Sequence, residues 1–205
     1  MEKKKINVGN LITNYLLVLI VIVIFAVLAF LLPESFPTYS NIMQFLKESC
    51  IYCIIILGVT WVFSLGEMDI SFGDIAAFSC TCCAALMVAG VPADLAALIT
   101  IVISAVYGLI SGGLVTGFKL NSLIVTIAVS GIAKAIGLII GKGTNISIPK
   151  DEGALLYQLT QADIGGIPVL LIVTVVIIAV LVVIQEKTKF GQYIYAIGDN
   201  KVAAE

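Results

Sequence analysis

Long hydrophobic runs separated by short polar intervals dominate the chain. A helix needs about 20 apolar residues to cross a bilayer, and runs near this length fall at 11–32, 42–64, 72–90, 94–118, 121–140 and 169–184. Proline, glycine and charged residues concentrate between these runs, where helices end. The pattern predicts an all-α polytopic membrane protein with about six transmembrane helices.

The composition supports a membrane protein and excludes several other classes. The 205 residues are 60% hydrophobic and 12% charged, and the mean hydropathy is +1.16. The net charge is −2 and there is no histidine. A nucleic-acid-binding protein would carry a basic patch, and histidine is the commonest general base and metal ligand. We therefore expect neither a nucleic-acid partner nor a histidine-based enzyme.

Five cysteines fall within predicted membrane helices, at positions 50, 53, 80, 82 and 83. Cys50-x-x-Cys53 has the spacing of a redox or metal pair. A structural zinc site needs four ligands in tetrahedral geometry, and cysteine is also a common small packing residue. We favour the packing role and predict no metal and no cofactor.

The stretch 57–74, LGVTWVFSLGEMDISFGD, places three carboxylates in an otherwise apolar region. A charge at mid-bilayer costs about 2.5–3.5 kcal/mol on insertion scales, so this cluster needs a role. Gly66 is expected to end one helix, and Ser71 with Asp74 forms an S-x-x-D start signal for the next. One interpretation is a helix cap made by Asp69, Ser71 and Asp74; the other is a functional hinge. This acidic hinge motif comprises Glu67, Asp69, Ser71, Gly73 and Asp74.

A polar stripe follows one face of the fifth predicted helix. Ser122, Thr126, Ser130 and Lys134 recur every four residues and therefore share that face. A lysine within a membrane is tolerated when it faces a polar interior, so the stripe is a candidate lining of a solute pathway. The alternative is that the hydroxyl groups bond back to their own helix and Lys134 pairs with a carboxylate elsewhere.

Charge placement predicts the orientation of the chain. With the N-terminus in the cytoplasm, six spans leave 142–168 as an extracytoplasmic loop and 185–205 as a cytoplasmic segment. Lysines 3, 4, 5, 119, 187, 189 and 201 then lie inside, and lysines 47, 142 and 150 lie outside. This excess of cytoplasmic lysine obeys the positive-inside rule.

Two segments carry a resemblance to a known family. The first is Leu57-Gly58-Val59-Thr60 with the acidic hinge motif, in which Asp69, Ser71 and Gly73 match the family form, while Met68, Ile70 and Phe72 replace similar apolar residues. The second is the C-terminal stretch, which matches at Thr188, Phe190, Gly191, Ile194, Tyr195, Ala196, Gly198, Asn200, Ala203 and Ala204. Together they resemble the permease subunits of monosaccharide ABC importers of the ribose and xylose type.

The resemblance implies a function and partners. The C-terminal stretch would be a cytoplasmic segment that couples the permease to ABC ATPase subunits, through Phe190, Gly191, Tyr195, Ala196, Gly198, Asn200, Ala203 and Ala204. Gln192 and Lys201 depart from the usual family residues. A solute-binding protein would deliver the sugar from outside, and two permease copies, identical or different, would form the pathway. Family members continue further, so the chain corresponds to an N-terminal portion.

We therefore expect a permease subunit in the bacterial cytoplasmic membrane that imports a simple sugar such as ribose and is not itself an enzyme. The sequence contains no G-x-x-x-x-G-K-[ST] phosphate-binding loop, so ATP hydrolysis is assigned to separate subunits. One alternative is an ion-coupled carrier that uses Glu67, Asp69 and Lys134 as a charge relay. The other is a truncated half-permease that does not transport.

Overall fold

A computed structural model describes residues 8–148 and 153–199 of the protein. The described residues are predominantly helical, which confirms the predicted all-α class. The elements are α1 (Val8–Leu31), α2 (Tyr39–Ser64), α3 (Phe72–Val88), α4 (Ala93–Phe118), α5 (Ser122–Ile140), α6 (Leu155–Gln161), β1 (Asp163–Ile164), β2 (Ile167–Pro168), α7 (Val169–Lys187) and α8 (Lys189–Asp199).

Six helices correspond to the six predicted spans. By length and composition, α2, α4, α5 and α7 are each able to cross a membrane. The apolar segments Tyr15–Leu31, within α1, and Phe72–Val88, which is α3, are shorter. The chain is therefore a multi-pass membrane protein. Its last predicted span is longer than expected, because α7 continues to Lys187 rather than ending at residue 184.

Glycine ends α2 where the sequence analysis expected a break. Gly66 has a φ of 76°, its N–H donates to the Phe63 carbonyl at 2.9 Å, and the Glu67 N–H donates to the Val62 carbonyl at 3.3 Å. This pair of bonds is a Schellman motif, in which a left-handed glycine satisfies the last helical carbonyls. Gly90 ends α3 in the same way, with a φ of 91° and the equivalent two bonds.

The chain divides into two compact units, Met1–Glu48 and Ser49–Glu205. In the first, aromatic rings connect α1 with the turn that follows it and with the beginning of α2. The Phe25 ring meets the rings of Phe36 and Phe45 edge-on, with both centroid separations at 5.3 Å. This geometry is the one favoured by the quadrupoles of aromatic rings.

The core of the second unit lies where α3 packs against α4 and α5. Phe78 and Cys82 of α3 are buried with Ala133 of α5. The Phe78 ring meets the Tyr107 ring of α4 edge-on at 5.1 Å. The interior of this group is polar as well, since the hydroxyl groups of Ser79 and Ser104 lie 2.6 Å apart. Small and hydroxyl-bearing residues thus allow these helices to approach closely.

The segment 142–168 contains regular structure that the sequence analysis did not predict. Helix α6 begins where the Leu155 and Leu156 N–H groups donate to the Asp94 carboxylate at 3.0 and 3.1 Å. A carboxylate at this position satisfies free amides at a helix N-terminus. The cap was not predictable locally, because it comes from a residue about 60 positions earlier in the chain. Gly165 and Gly166, both with positive φ, form the turn that connects β1 with β2.

Candidate functional site

The acidic hinge motif lies against the hydroxyl stripe of α5. Residues 67–71 form no regular structure between α2 and α3. The Met68 N–H donates to the Ser122 hydroxyl at 3.2 Å, and the Ile70 N–H donates more weakly to the Thr126 hydroxyl at 3.5 Å. Non-helical backbone at membrane depth requires such internal partners. The two features that the sequence singled out separately therefore form one structure.

Within the hinge, Asp69 binds Ser71 rather than α3. Its Oδ1 atom accepts hydrogen bonds from the Ser71 N–H at 2.7 Å and from the Ser71 hydroxyl at 2.6 Å. Ser71 is the residue that precedes α3, and its side chain makes no capping bond to that helix. The helix therefore begins where the S-x-x-D signal predicts, at Ser71, but the side-chain capping bond is not made, and the Ser71 hydroxyl donates to Asp69 instead.

Asp74 and Lys134 form an ion pair between α3 and α5. The Lys134 Nζ atom lies 3.9 Å from Asp74 Oδ1, and the two side chains are 65% and 38% exposed respectively. A long separation with this exposure indicates a weak pair that remains open to other partners. Lys134 therefore has the carboxylate partner that one of the two interpretations required.

Two hydroxyl groups of the stripe donate to carbonyl groups of their own helix. The Thr126 hydroxyl donates to the Leu123 carbonyl at 3.2 Å, and the Ser130 hydroxyl donates to the Ile127 carbonyl at 3.0 Å. These contacts agree with the structural interpretation of the stripe. Its role as a pathway lining stays a prediction.

Glu67 and Gly73 of the acidic hinge motif do not belong to the Asp74–Lys134 ion pair. Glu67 is partly buried at the end of the Schellman turn. Gly73 is in the first turn of α3, where a side chain would meet no other atom within 4 Å in the part of the chain that the structure describes. The ion-coupled alternative grouped Lys134 with Glu67 and Asp69, whereas the structure pairs Lys134 with Asp74.

A cavity of about 240 Å³ opens beside the ion pair. It lies between α3, the second half of α5 and the turn that follows α5. Its polar lining includes Asp74, Thr81, Lys134, Thr144 and Asn145, and Phe78 contributes an aromatic wall. Only Lys134 of the predicted pathway stripe borders it. The cavity therefore extends the candidate site toward the end of α5.

Helix α8 packs against the hinge end of α2. Gly198 approaches the Ser64 carbonyl so closely that a Cβ atom there would overlap it, and its own carbonyl oxygen would lie 3.9 Å from a Cβ atom on Gly66. Gly191 is buried, and a Cβ atom at that position would overlap the backbone of Gln185. Both glycines thus allow α8 to lie against other backbone.

A polar and aromatic cluster completes this contact. The Trp61 ring meets the Phe190 ring edge-on at 5.3 Å, and its Nε1–H donates to the Gln185 side chain at 3.1 Å. The Gln185 amide in turn donates to the Tyr195 hydroxyl at 2.7 Å. The sequence analysis did not identify Trp61 or Gln185. One signal was available in the sequence: Trp61 is the single tryptophan of the chain and lies close to the end of a predicted span. Tryptophan is enriched at membrane interfaces.

The predicted ATPase-coupling residues therefore divide between two faces. Gly191 and Gly198 contact the rest of the chain, and Phe190 and Tyr195 belong partly to the Trp61 cluster. Ala196 is exposed. Exposed residues of α8 that make up its outward face are Gln192, Tyr193 and Ala196. Asn200, Ala203 and Ala204 lie outside the described residues.

Comparisons with known proteins identify related chains. The D-allose transport system permease protein AlsC of Escherichia coli (strain K12) is 30% identical over 204 residues, covering 99% of this chain and 62% of that protein. The ribose import permease protein RbsC of Haemophilus influenzae is 26% identical over 205 residues, covering 100% of this chain and 63% of that protein. The L-arabinose ABC transporter permease protein AraH of Azospirillum brasilense is 28% identical over 198 residues, covering 97% and 57% respectively.

The chain thus spans about 60% of the length of these relatives. No solved structure shows a significant match. The family described as "Branched-chain amino acid transport system / permease component" matches residues 41–205, which include the acidic hinge motif, the stripe of α5 and α8. The chain therefore belongs to this permease-component family.

Proposed function

We propose that the chain is a transmembrane permease subunit of an ATP-binding cassette importer and forms part of the translocation pathway for a simple sugar such as ribose. The observation that carries this proposal is the direct contact between α8 and the end of α2, immediately before the acidic hinge motif. A permease driven by a separate ATPase needs a mechanical connection from its cytoplasmic surface to its membrane helices. Helix α8 has the contacts needed for such a connection.

The connection can be followed from contact to contact. Gly198 lies against the Ser64 carbonyl at the end of α2. The chain then reverses at Gly66 and enters the segment whose Met68 N–H donates to the Ser122 hydroxyl of α5. A displacement of α8 would therefore act on the end of the hinge that adjoins α2. Because packed elements tend to move between discrete arrangements, this displacement would change how the hinge lies on α5.

We propose the partners on the basis of the permease family to which the chain belongs. ABC ATPase subunits would bind the outward face of α8, and ATP hydrolysis would occur on those subunits. A solute-binding protein would dock on the segment 142–168, and a second permease subunit, identical or different, would complete the pathway. The protein would lie in the bacterial cytoplasmic membrane with its N-terminus inside, so that α8, within the segment 185–205, is cytoplasmic.

The relatives of the chain support a sugar as the solute. They comprise transport proteins for D-allose, ribose and L-arabinose. These are neutral compounds with many hydroxyl groups. We assign this chemical class to the solute of the chain on the basis of that similarity.

The test is uptake of radiolabelled D-ribose, D-allose and L-arabinose by bacterial cells that lack their own permeases for these sugars. The chain is expressed with an ABC ATPase and a solute-binding protein encoded beside it. We expect uptake of at least one sugar, and we expect loss of uptake when the ATPase carries a substitution that prevents hydrolysis. Uptake that survives ATP depletion but collapses with the membrane potential would establish the ion-coupled alternative. Failure with a complete set of partners would establish a non-transporting half-permease.

A further inference from the structure

The cavity beside the Asp74–Lys134 pair has the size of a small-solute site. Its volume is about 240 Å³, which is room for about eight water molecules at the roughly 30 Å³ that each occupies in the liquid. Pockets for drug-sized ligands are larger, at about 300–1,000 Å³. The occupant that fits is therefore a compact molecule.

The charges of the cavity favour a neutral occupant. One carboxylate and one ammonium group face it, and their atoms are 3.9 Å apart. Each largely offsets the field of the other, so a monovalent anion or cation gains no net attraction. A zwitterion would need to separate the pair in order to bind both charges. A hydroxyl group needs no such separation, because it donates to a carboxylate and accepts from an ammonium group.

The remaining lining has the chemistry of polyol recognition. Thr81 and Thr144 each donate their hydroxyl to a carbonyl of the main chain, at 3.0 Å in both cases, so their oxygen lone pairs remain available as acceptors. Asn145 adds an amide with both donors and an acceptor. Phe78 adds an apolar edge to the lining, although only 4% of its surface is exposed. A ligand site typically has a small number of polar groups that converge on a partly apolar cavity.

We infer that this cavity is a binding site for a neutral polyhydroxylated solute, with Asp74 and Lys134 bound to hydroxyl groups. The inference rests on the proposed function, because it assigns the sugar a place within the permease itself. It also explains why the ion pair is long and partly exposed: its unused hydrogen-bonding capacity faces the cavity.

The test measures D-ribose binding by saturation-transfer difference NMR, with the chain reconstituted in lipid nanodiscs. The Thr81→Val variant removes a hydroxyl group from the cavity, and Ala77→Leu fills part of the volume. Thr116→Val is the matched control, since Thr116 is also a helical threonine whose hydroxyl donates to the carbonyl four residues earlier, at 2.8 Å. We expect both cavity variants to lower the D-ribose signal at least three-fold and the control to leave it unchanged.

The inference would be overturned if the D-ribose signal were absent, or if it were the same in the wild type and in both cavity variants. It would also be overturned if equimolar L-leucine displaced D-ribose, which would indicate a zwitterion site. The uptake experiment separates this inference from the proposed function. ATP-dependent sugar uptake by cells whose permease shows no cavity-dependent signal would leave the importer intact and remove the site. A cavity-dependent signal without uptake would retain the site and remove the importer function.

Discussion

Ser71 is the most deeply buried polar side chain among the described residues, with 1% of its surface exposed. Its backbone N–H and its hydroxyl both donate to Asp69, at 2.7 and 2.6 Å. Burial of a hydroxyl group is tolerated only when such a partner is present. At this position the carboxylate therefore has a structural role that does not depend on transport.

Replacing Asp69 by alanine should destabilise the chain more than replacing it by asparagine. Asp69→Ala leaves the Ser71 N–H and hydroxyl without their acceptor, at a cost of about 1–3 kcal/mol, whereas Asp69→Asn keeps one carbonyl oxygen. Thermal unfolding in detergent measures the difference. Asp163→Ala, in the exposed strand β1, is the control and should have little effect. Equal stability of Asp69→Ala and the wild type would contradict the assignment.

Two glycines of α8 should be intolerant of a single added carbon. Gly191→Ala and Gly198→Ala place a Cβ atom against main-chain atoms that cannot move aside, and overpacking of this kind costs about 1–3 kcal/mol or more. Gly112→Ala in α4 is the matched control, because no atom of the described chain lies within 4 Å of its added carbon. That variant should be neutral or stabilised by up to about 1 kcal/mol.

The three variants are compared by thermal unfolding and by limited proteolysis after Lys187 and Lys189. We expect faster cleavage of the α8 variants, because their helix leaves its contact with α2. Identical cleavage of Gly112→Ala and Gly198→Ala would show that the close contact is not present in solution.

Among the helices, α3 and α5 show how one element completes another. Helix α3 has 17 residues and, at 1.5 Å per residue, is about 26 Å long. This is shorter than the roughly 30 Å hydrocarbon core of a bilayer. The non-helical segment before it lies along α5 and donates backbone hydrogen bonds to the hydroxyl stripe. Helix α5 therefore supports the part of the α3 span that is not helical.

Removal of the Ser122 hydroxyl should loosen the hinge. Ser122→Ala deprives the Met68 N–H of its acceptor, whereas Ser130→Ala, the control, removes a hydroxyl that bonds to its own helix. Hydrogen–deuterium exchange is the measurement, since local opening exposes the amide to exchange. We expect the Met68 amide to exchange about ten-fold faster in Ser122→Ala, which corresponds to about 1.4 kcal/mol of lost protection. Equal rates in both variants would refute the contact.

The two faces of α8 should respond differently to substitution. Tyr193 is 64% exposed and Ile194 is 4% exposed. If the outward face binds the ATPase, Tyr193→Ala should reduce solute-stimulated ATP hydrolysis several-fold without changing the thermal stability of the permease. Ile194→Ala should lower that stability by about 2–5 kcal/mol, as expected for a buried isoleucine. A Tyr193→Ala variant with full coupling would remove this face from the proposed interface.

For the molecule as a whole, the distribution of charge predicts its orientation in the membrane. Lys119 lies just before α5 and Lys142 lies just after it. Because α5 is a predicted span, the two lysines are expected on opposite surfaces of the membrane. Both residues have a left-handed backbone, with φ of 54° and 53°, which marks them as turn positions outside the spans. They are therefore suitable reporters of the two membrane surfaces.

We expect a membrane-impermeant maleimide to label Lys142→Cys but not Lys119→Cys in intact cells. The substitutions are made in a chain whose five cysteines are replaced by serine. Permeabilised cells provide the control, because both positions should then react. Labelling of Lys119→Cys alone in intact cells would reverse the proposed orientation and move α8 away from a cytoplasmic ATPase.

Much of the fold was predictable because it is encoded locally. The six spans follow from continuous apolar runs. In a bilayer such runs form helices, because a helix satisfies its own backbone hydrogen bonds where no water is present. The end of α2 follows from Gly66, since glycine adopts the left-handed conformation with little steric cost. The positions of the hinge motif, the stripe of α5 and the C-terminal helix also follow from sequence patterns.

The contacts that form the candidate site were decided by the tertiary structure. The Met68–Ser122 bond joins residues 54 positions apart, and the Trp61–Gln185 bond joins residues 124 positions apart. Which hydroxyl, amide or charge meets which partner depends on how whole helices pack, because each polar group in an apolar interior binds the nearest available partner. Sequence by itself therefore determined the six spanning helices and the polar positions on them, whereas only packing determined that Asp94 caps α6 and that Asp74 meets Lys134 beside a cavity.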